Sequence, residues 1–527
     1  MEKRAVKFNE RLIDLNTPSI KSRFAVSFYS NVLKGGFSFA TGLIIAKGLG
    51  PENYGNYAFL LASFLSLVQL LDMGTSSAFY TFLSQKPRGL VFIAYFVSWQ
   101  ALQILLSLSV IAFVLPETWI KNIWLGQSKE WIILALMAVF MQQSAWQTII
   151  HIGESQRLTQ RVQHMNIFIA SIHLSLVAVI WNIDVLSIKV LFMLVIAEYF
   201  LAIVVACILI PIRALEGEVI KGMDLFHEYR IYCTPLIIHA GLGFIYIFYD
   251  RWLLQHFGGA KEQAFYSIGY QFATVCLITT VSISKIFWKE ISEAHEKQDF
   301  EKKHYMYSTV SRCVFIFGAI LSGFLIPWSN EIVLHLLGPA YLTSVAPLAI
   351  MFLLPVHQGL IRTAQTMLLA TSATRIHLLT GGIMMAINLP VAYLVLASNE
   401  AFIPGWGLGA LGMSIKMVVL QIVGTNLVTW WVSREFKWKF EWVYQVVGLG
   451  GAVFLGWAAY QLAMEISSFV LLGLIWKIGI SFLLYTIMMG IFLWSFPWIM
   501  GMTRKEIILH ISSTRELLFK KPGGKSI

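Results

Sequence analysis

Charged residues are scarce in this chain of 527 residues. Only 13% of its residues are charged, whereas 57% are hydrophobic and 14% are aromatic. Soluble globular domains carry about 25% charged residues, so this balance excludes an ordinary soluble protein. It indicates an all-α polytopic membrane protein, in which apolar segments of roughly 20 residues each cross the bilayer.

Cysteines and long polar stretches are also few. The chain has four cysteines, Cys207, Cys233, Cys276 and Cys313, and all lie in apolar segments or at their ends. They do not form the disulfide framework of a small secreted domain. The connections between apolar segments are short, which leaves no room for a soluble catalytic domain. The first 22 residues are polar, and the apolar run after them is too long for a signal-peptide core, so we expect no cleavable signal.

The net charge of +11 could suggest a nucleic-acid partner, but its distribution does not. Most of the lysines and arginines fall in the two tails and in alternate loops, as the positive-inside rule predicts for cytoplasmic segments. We therefore expect both termini to be cytoplasmic and no nucleic acid to be bound.

About fourteen apolar segments follow one another, and the chain repeats itself. Gly50 and Gly258 lie in similar Gly-rich turns 208 positions apart, and Gly126 and Gly338 match at an offset of 212. A repeat that contains six helices keeps its orientation in both copies. We therefore expect two six-helix bundles related by a pseudo-two-fold axis along the membrane normal, with two extra C-terminal helices.

This repeat predicts the division of the chain and the place of its site. A duplication of this kind is typical of transporters whose site lies between the halves. The predicted segments are a cytoplasmic N-terminal tail (1–23), an N-terminal bundle (24–212), a cytoplasmic linker (213–230), a C-terminal bundle (231–432), two further helices (443–496) and a cytoplasmic C-terminal tail (497–527).

The first apolar segment carries a polar stripe. Asn31, Lys34 and Ser38 follow each other at steps of three and four, so they share one face of a helix. A charged side chain at the bilayer centre costs roughly 2.5 to 3.5 kcal/mol on insertion scales, so this face belongs against protein or water. The seventh segment repeats the pattern with His239 and Tyr246.

Two more cations lie deep in apolar segments of the second half. Arg362 follows Gln358 by four residues and precedes Gln365 by three, and Lys416 lies in the twelfth segment. A cavity lined by such cations, amides and hydroxyls suits an anionic group with a sugar attached. The alternative is that each deep charge belongs to a packing ion pair, as Lys34 would with Asp72 or Glu198.

One motif is a false lead. "GLGALG", with Gly407, Gly409 and Gly412, fits the dinucleotide-binding pattern G-x-G-x-x-G, but no strand precedes it. We interpret these glycines as helix packing.

Three stretches together carry a resemblance. "GLGPENYGNYAFLL" follows the first segment, "YDRWLLQHFGG" precedes "AFYSIGY", and "EIVLHLLGPAYLTSVAPLAIMFLL" comes before the tenth segment. In this order they resemble the polysaccharide transporter family, the Wzx-type flippases of lipid-linked oligosaccharides, within a superfamily that also holds lipid II flippases and multidrug extruders. The resemblance covers most of residues 20 to 430.

The resemblance implies a function and a location. A flippase of this family moves an undecaprenyl-diphosphate-linked repeat unit of O-antigen, capsule or exopolysaccharide from the cytoplasmic to the outer leaflet of the bacterial inner membrane by alternating access. It needs no cofactor or metal, is driven by a proton or sodium gradient, and works with membrane lipids and with polysaccharide polymerase and chain-length proteins.

By the same resemblance, the deep polar residues take two roles. Lys34, Arg362 and Lys416 would hold the diphosphate or acidic sugars, with the polar residues around them also lining the substrate site. The buried acids Asp72, Glu198 and Asp250 would couple transport to the ion.

Other functions remain open. A lipid II flippase shares the diphosphate and the lipid. A multidrug antiporter would want an acidic cavity, against which the deep cations argue. A membrane glycosyltransferase or polysaccharide polymerase would need a sizeable outer domain.

Overall fold

A computed structural model of the chain describes residues 20–86, 88–210, 222–277, 287, 290–371, 373–470 and 473–506. Of residues 20–25, 239, 374, 377 and 468–470 it describes the backbone alone. Residues 1–19 and 507–527 of the predicted tails, and residues 213–221 of the predicted linker, lie outside the described residues.

The described chain is helical and contains no strand. Its first half contains α1 (Ile20–Asp72), α2 (Thr75–Gln85), α3 (Leu90–Ser109), α4 (Glu117–Ile123), α5 (Lys129–Phe140), α6 (Trp146–Ser155), α7 (Thr159–Asn182), α8 (Ile188–Leu209) and α9 (Gly222–Val275). Its second half contains α10 (Phe300–Leu325), α11 (Ser329–Leu336), α12 (Val345–Met351), α13 (Leu354–Ala370), α14 (Thr374–Leu396), α15 (Gly409–Glu435), α16 (Val443–Val470) and α17 (Leu474–Ser495). Single π-turns, Val110–Val114 and Met141–Ala145, extend α3 and join α5 to α6.

Twelve helices of the described residues are long and apolar enough to cross a membrane. The chain is therefore a multi-pass membrane protein, and the predicted all-α architecture is confirmed. The predicted count of fourteen is not confirmed, because α1 and α9 each cover two of the predicted spans.

Both of these long helices bend at a glycine. A helix of 54 residues such as α9 would be about 80 Å long, far more than the hydrocarbon core of roughly 30 Å. Gly50 breaks α1 at φ 70° and Gly259 breaks α9 at φ 78°, values that favour glycine. Pro51 then opens the second leg of α1, where a missing N–H costs little.

The backbone supports the sequence repeat at two places. Gly126 and Gly338 both have positive φ, at 80° and 92°, which matches the predicted offset of 212. The bend in α9 lies at Gly259 rather than at Gly258, so the structural offset from Gly50 is one residue longer than the alignment predicts.

The chain divides into two compact units, Met1–Ser267 with Leu389–Ala410 (unit 1) and Ile268–Asn388 with Leu411–Ile527 (unit 2). The division into two six-helix bundles by repeat stays a prediction.

In unit 1 the turn of α1 packs against the bend of α9 and is hydrogen-bonded to it. The amide oxygen of Asn56 accepts hydrogen bonds from Nε2 of Gln127 at 2.7 Å and of Gln255 at 3.0 Å. Gly55 allows this approach, because a Cβ built there would lie 1.7 Å from the carbonyl oxygen of Ala260.

In unit 2 the two C-terminal helices pack against α10. A buried cluster joins Phe315 of α10, Val356 of α13, Ala452 of α16 and Met489 of α17. The helices α10 and α16 meet at glycines, since a Cβ on Gly456 would lie 1.9 Å from the carbonyl oxygen of Gly323.

We expect Gly456→Ala to destabilise the protein, because overpacking of this kind costs about 1 to 3 kcal/mol. The matched control is Gly450→Ala in the same helix, where nothing lies within 4 Å of the new Cβ. Thermal unfolding of the purified protein in detergent checks this. Equal melting temperatures for the two variants would contradict the close contact.

Candidate functional site

The polar face of α1 belongs to unit 1. Asn31 and Ser38 are exposed, whereas Lys34 is half-buried. No carboxylate of the described residues lies within 4.0 Å of the Lys34 ammonium, and no hydrogen bond to it is formed there. Lys34 is therefore a cation within a membrane span that is available to a ligand or to water.

Asp72 and Glu198, the acids considered as ion-pair partners of Lys34, are both engaged elsewhere. The Asp72 Oδ1 accepts from the Ser76 backbone N–H at 3.0 Å and from the Ser76 hydroxyl at 2.5 Å, at the start of α2. The Glu198 Oε2 lies 2.7 Å from Nδ1 of His173. A packing ion pair of Lys34 with either acid is thus not observed.

The predicted residues of α9 also lie in unit 1. Tyr246 is half-buried, Asp250 is buried, and both interact with neighbouring groups. The side chain of His239 lies outside the described residues. Arg251, next to Asp250, donates from Nη1 to the Ser267 hydroxyl at 2.9 Å and lies over the ring of Tyr266, so both of its observed contacts are within unit 1.

In unit 2, α13 has two distinct faces. Leu360, Ala364 and Met367 are buried in the unit, whereas the predicted residues are all half-buried on another face. This second face carries Gln358, Arg362 and Gln365. Such an arrangement is that of an amphipathic helix with a polar stripe.

Arg362 and Lys416 differ in their surroundings. Among the residues that the structure describes, Arg362 forms no ion pair or hydrogen bond. Lys416 is 2% exposed and interacts with a neighbouring group. Arg362 therefore resembles Lys34 in being available, while Lys416 is packed within α15 and its surroundings.

The structure adds His173, which the sequence analysis did not select. It contacts Glu198 from the middle of α7, at side-chain exposures of 22% for His173 and 8% for Glu198. The signal was present, because an ionisable residue inside an apolar segment is rare, but its partner lies on the next helix and no spacing within one helix reveals it.

The interpretation of "GLGALG" as helix packing needs correction. Gly407 and Gly409 have positive φ, 60° and 52°, and lie at the start of α15 rather than in its interior. The carboxylate of Glu262 accepts from the Ala410 backbone N–H at 2.6 Å. A Cβ on Gly409 would lie 2.4 Å from that carboxylate, so glycine is needed for the carboxylate to reach the helix start.

We expect Glu262→Ala to lower stability by about 1 kcal/mol, because a negative acceptor at a helix N-terminus contributes this much. Glu262→Gln keeps an acceptor and loses the charge, so its loss should be smaller. Thermal unfolding in detergent compares the two. An alanine variant as stable as the unaltered protein would contradict the capping role.

Solved structures of similar fold are transporters. The structure "Lipid II flippase MurJ, inward closed conformation" matches with a TM-score of 0.65 and 16% identity, over 90% of this chain and 99% of that chain. An inward-facing multidrug resistance MATE family transporter of the MOP superfamily matches with a TM-score of 0.60 and 13% identity, over 79% and 98%. A MOP superfamily transporter from Pyrococcus furiosus matches at 0.55 and 12%, over 80% and 97%. This chain has the fold of MOP superfamily transporters.

The family is shown by sequence. A family model described as "Polysaccharide biosynthesis protein" matches residues 20–287, just over half of the chain. The chain belongs to this family, and family and fold together support a transporter rather than an enzyme. No curated protein matches it.

Proposed function

We propose that this protein is a flippase. It translocates an undecaprenyl-diphosphate-linked oligosaccharide, the repeat unit of an O-antigen, capsule or exopolysaccharide, from the cytoplasmic to the outer leaflet of the bacterial inner membrane by ion-coupled alternating access. Its family and its fold support a transporter in polysaccharide biosynthesis. The substrate class rests on the chemistry of its deep cations.

One observation carries the proposal: Lys34 is half-buried within a membrane span, and no carboxylate of the described residues pairs with it. An unpaired ammonium is expensive at membrane depth, so a lysine kept there needs water or an anionic ligand. Arg362 supports the same conclusion in unit 2, because guanidinium groups bind phosphate oxygens in a bidentate manner.

The neighbours of these cations suit a sugar. Asn31 and Ser38 lie on the face of Lys34, and Gln358 and Gln365 on that of Arg362. Their amides and hydroxyl can both donate and accept hydrogen bonds, as sugar hydroxyls require. Tyr246, His239 and Lys416 belong to the same proposed set.

We assign ion coupling to the acids Asp72, Glu198 and Asp250, of which Asp250 is buried and the other two are half-buried. Of these, Asp72 has a structural role at the start of α2, and the choice between a proton and a sodium gradient depends on the surroundings of each acid. We further propose that both termini are cytoplasmic and that polymerase and chain-length proteins act on the exported product.

Deletion of the gene tests the function. We expect the cells to lose a surface polysaccharide and to accumulate one lipid-linked oligosaccharide in the inner leaflet, as measured by mass spectrometry of extracted lipids and by lectin accessibility in spheroplasts. Accumulation of lipid II would favour a lipid II flippase instead. Increased sensitivity to cationic drugs with normal polysaccharide would favour a multidrug transporter.

A further inference from the structure

His173 and Glu198 form an ionisable pair, the His–Glu pair, in the middle of two neighbouring spans of unit 1. Nδ1 of His173 and Oε2 of Glu198 are 2.7 Å apart, a distance at which a protonated nitrogen donates a short hydrogen bond. The Glu198 side chain is 8% exposed. Its second oxygen, Oε1, is buried and has no hydrogen-bond partner in the described part of the chain.

Glu198 lines an apolar groove of about 620 Å³ between α7 and α8. The other side chains of this groove are almost all aliphatic or aromatic, among them Phe168, Ile172 and Leu201. A bare carboxylate in such surroundings is costly unless it is neutralised. His173 supplies that neutralisation from α7.

We propose that the His–Glu pair binds the coupling proton of this transporter. This inference rests on the proposed function only for the substrate whose transport the proton drives. With one proton shared between imidazole and carboxylate, the pair is electrically neutral. Removal of that proton leaves a net negative charge in an apolar groove, which is unfavourable until water reaches it. The pair therefore holds one proton while its surroundings are apolar and releases it where water enters.

The composition of the groove favours a proton over a metal cation such as sodium. Hard cations take several oxygen ligands. The groove offers the oxygens of one carboxylate, and its lining contains no serine, threonine, asparagine or glutamine. A proton needs only the single acceptor that Glu198 provides.

The titratable groups on the elements packed around the pair do not compete with His173 for an ion pair with Glu198. No other charged group among the described residues lies within ion-pair distance of Glu198. From the same helix, the hydroxyl of Tyr199 accepts from Nε2 of Gln142 at 3.1 Å. The remaining charged groups and histidines among the described side chains of these helices are Lys34, Lys47, Glu52 and Asp72 on α1, Lys129 and Glu130 on α5, His151 and Glu154 on α6, Arg161 and His164 on α7, and Lys189 on α8.

Infrared titration of the purified protein in lipid nanodiscs tests proton binding without any substrate. We expect a carboxylate band that shifts with pH as the shared proton leaves the pair, and that is lost in Glu198→Gln. The matched control is Glu130→Gln, which removes a carboxylate from an exposed ion pair with Lys189 at 2.6 Å and should keep that band. An unchanged band in Glu198→Gln would overturn the assignment.

Transport in proteoliposomes tests coupling, with the lipid-linked saccharide that accumulates in the deletion strain as the probe. A gradient of about one pH unit biases a transporter about tenfold per coupled proton. We expect this bias in the final distribution of the saccharide with the unaltered protein and with Glu130→Gln, and its loss with Glu198→Gln and His173→Gln, which should retain downhill exchange.

The two proposals fail in different ways. A gradient response that survives in both Glu198→Gln and His173→Gln, or that requires sodium instead of protons, would overturn the proton site. If the saccharide is not transported by any version while the infrared band still depends on Glu198, the proton site stands and the proposed substrate is wrong.

Discussion

Lys34→Ala should reduce export of the lipid-linked saccharide by about 10- to 100-fold, because a hydrogen bond to a charged group contributes about 1.5 to 3 kcal/mol and each 1.4 kcal/mol is tenfold. The cation is half-buried in α1 and unpaired among the described residues, so its removal leaves no buried carboxylate behind. The variant should therefore insert and fold normally. Surface polysaccharide and accumulated inner-leaflet precursor measure the effect.

Two variants control this experiment. Lys34→Arg retains the positive charge and should keep most of the export. Lys47→Ala removes an exposed lysine from the same helix, one that lies 6.0 Å from the ring of Trp181, and should leave export unchanged. Full export by a well-folded Lys34→Ala protein would remove the main support for an anionic substrate.

The helical membrane architecture could be predicted because it depends on local composition. Runs of apolar residues as long as a bilayer is thick identify spans regardless of their neighbours. The pairing of Gly126 with Gly338 in the sequence repeat agrees with the structure, since both residues have positive φ. The shift of the bend from Gly258 to Gly259 could not be predicted, because two adjacent glycines can both adopt the conformation of the bend.

Partners between helices could not be predicted from one sequence. The stripe of α1 follows from spacing, but whether Lys34 meets Asp72 or Glu198 depends on how the helices pack. In the structure, Asp72 forms a hydrogen bond with Ser76, four residues away, and Glu198 forms one with His173, 25 residues away.

The capping contact of Glu262 could not be predicted for the same reason. It joins residues 148 positions apart, so "GLGALG" looked like a packing motif until the carboxylate was seen at the helix start. Periodicity within one helix reports only on the face that each side chain occupies, and not on its partner in another helix.

Arg362→Ala is the second variant with a large expected effect. The guanidinium lies on the polar face of α13 and forms no ion pair among the residues that the structure describes. If it binds a phosphate in a bidentate manner, the alanine variant should lose about 10- to 100-fold in export, for the reason given for Lys34. Arg362→Lys keeps the charge without the planar, bidentate geometry of the guanidinium, so it should recover only part of the activity.

The matched control for Arg362 is Arg375→Ala, which removes an exposed arginine from α14 and should export normally. The lipid-linked precursor in the inner leaflet and the protein level in the membrane are measured together for all three variants. Full activity of Arg362→Lys would assign the residue a role as a point charge rather than a bidentate ligand. Full activity of Arg362→Ala would show that this guanidinium has no part in binding, and the anionic substrate would then depend on Lys34 and Lys416.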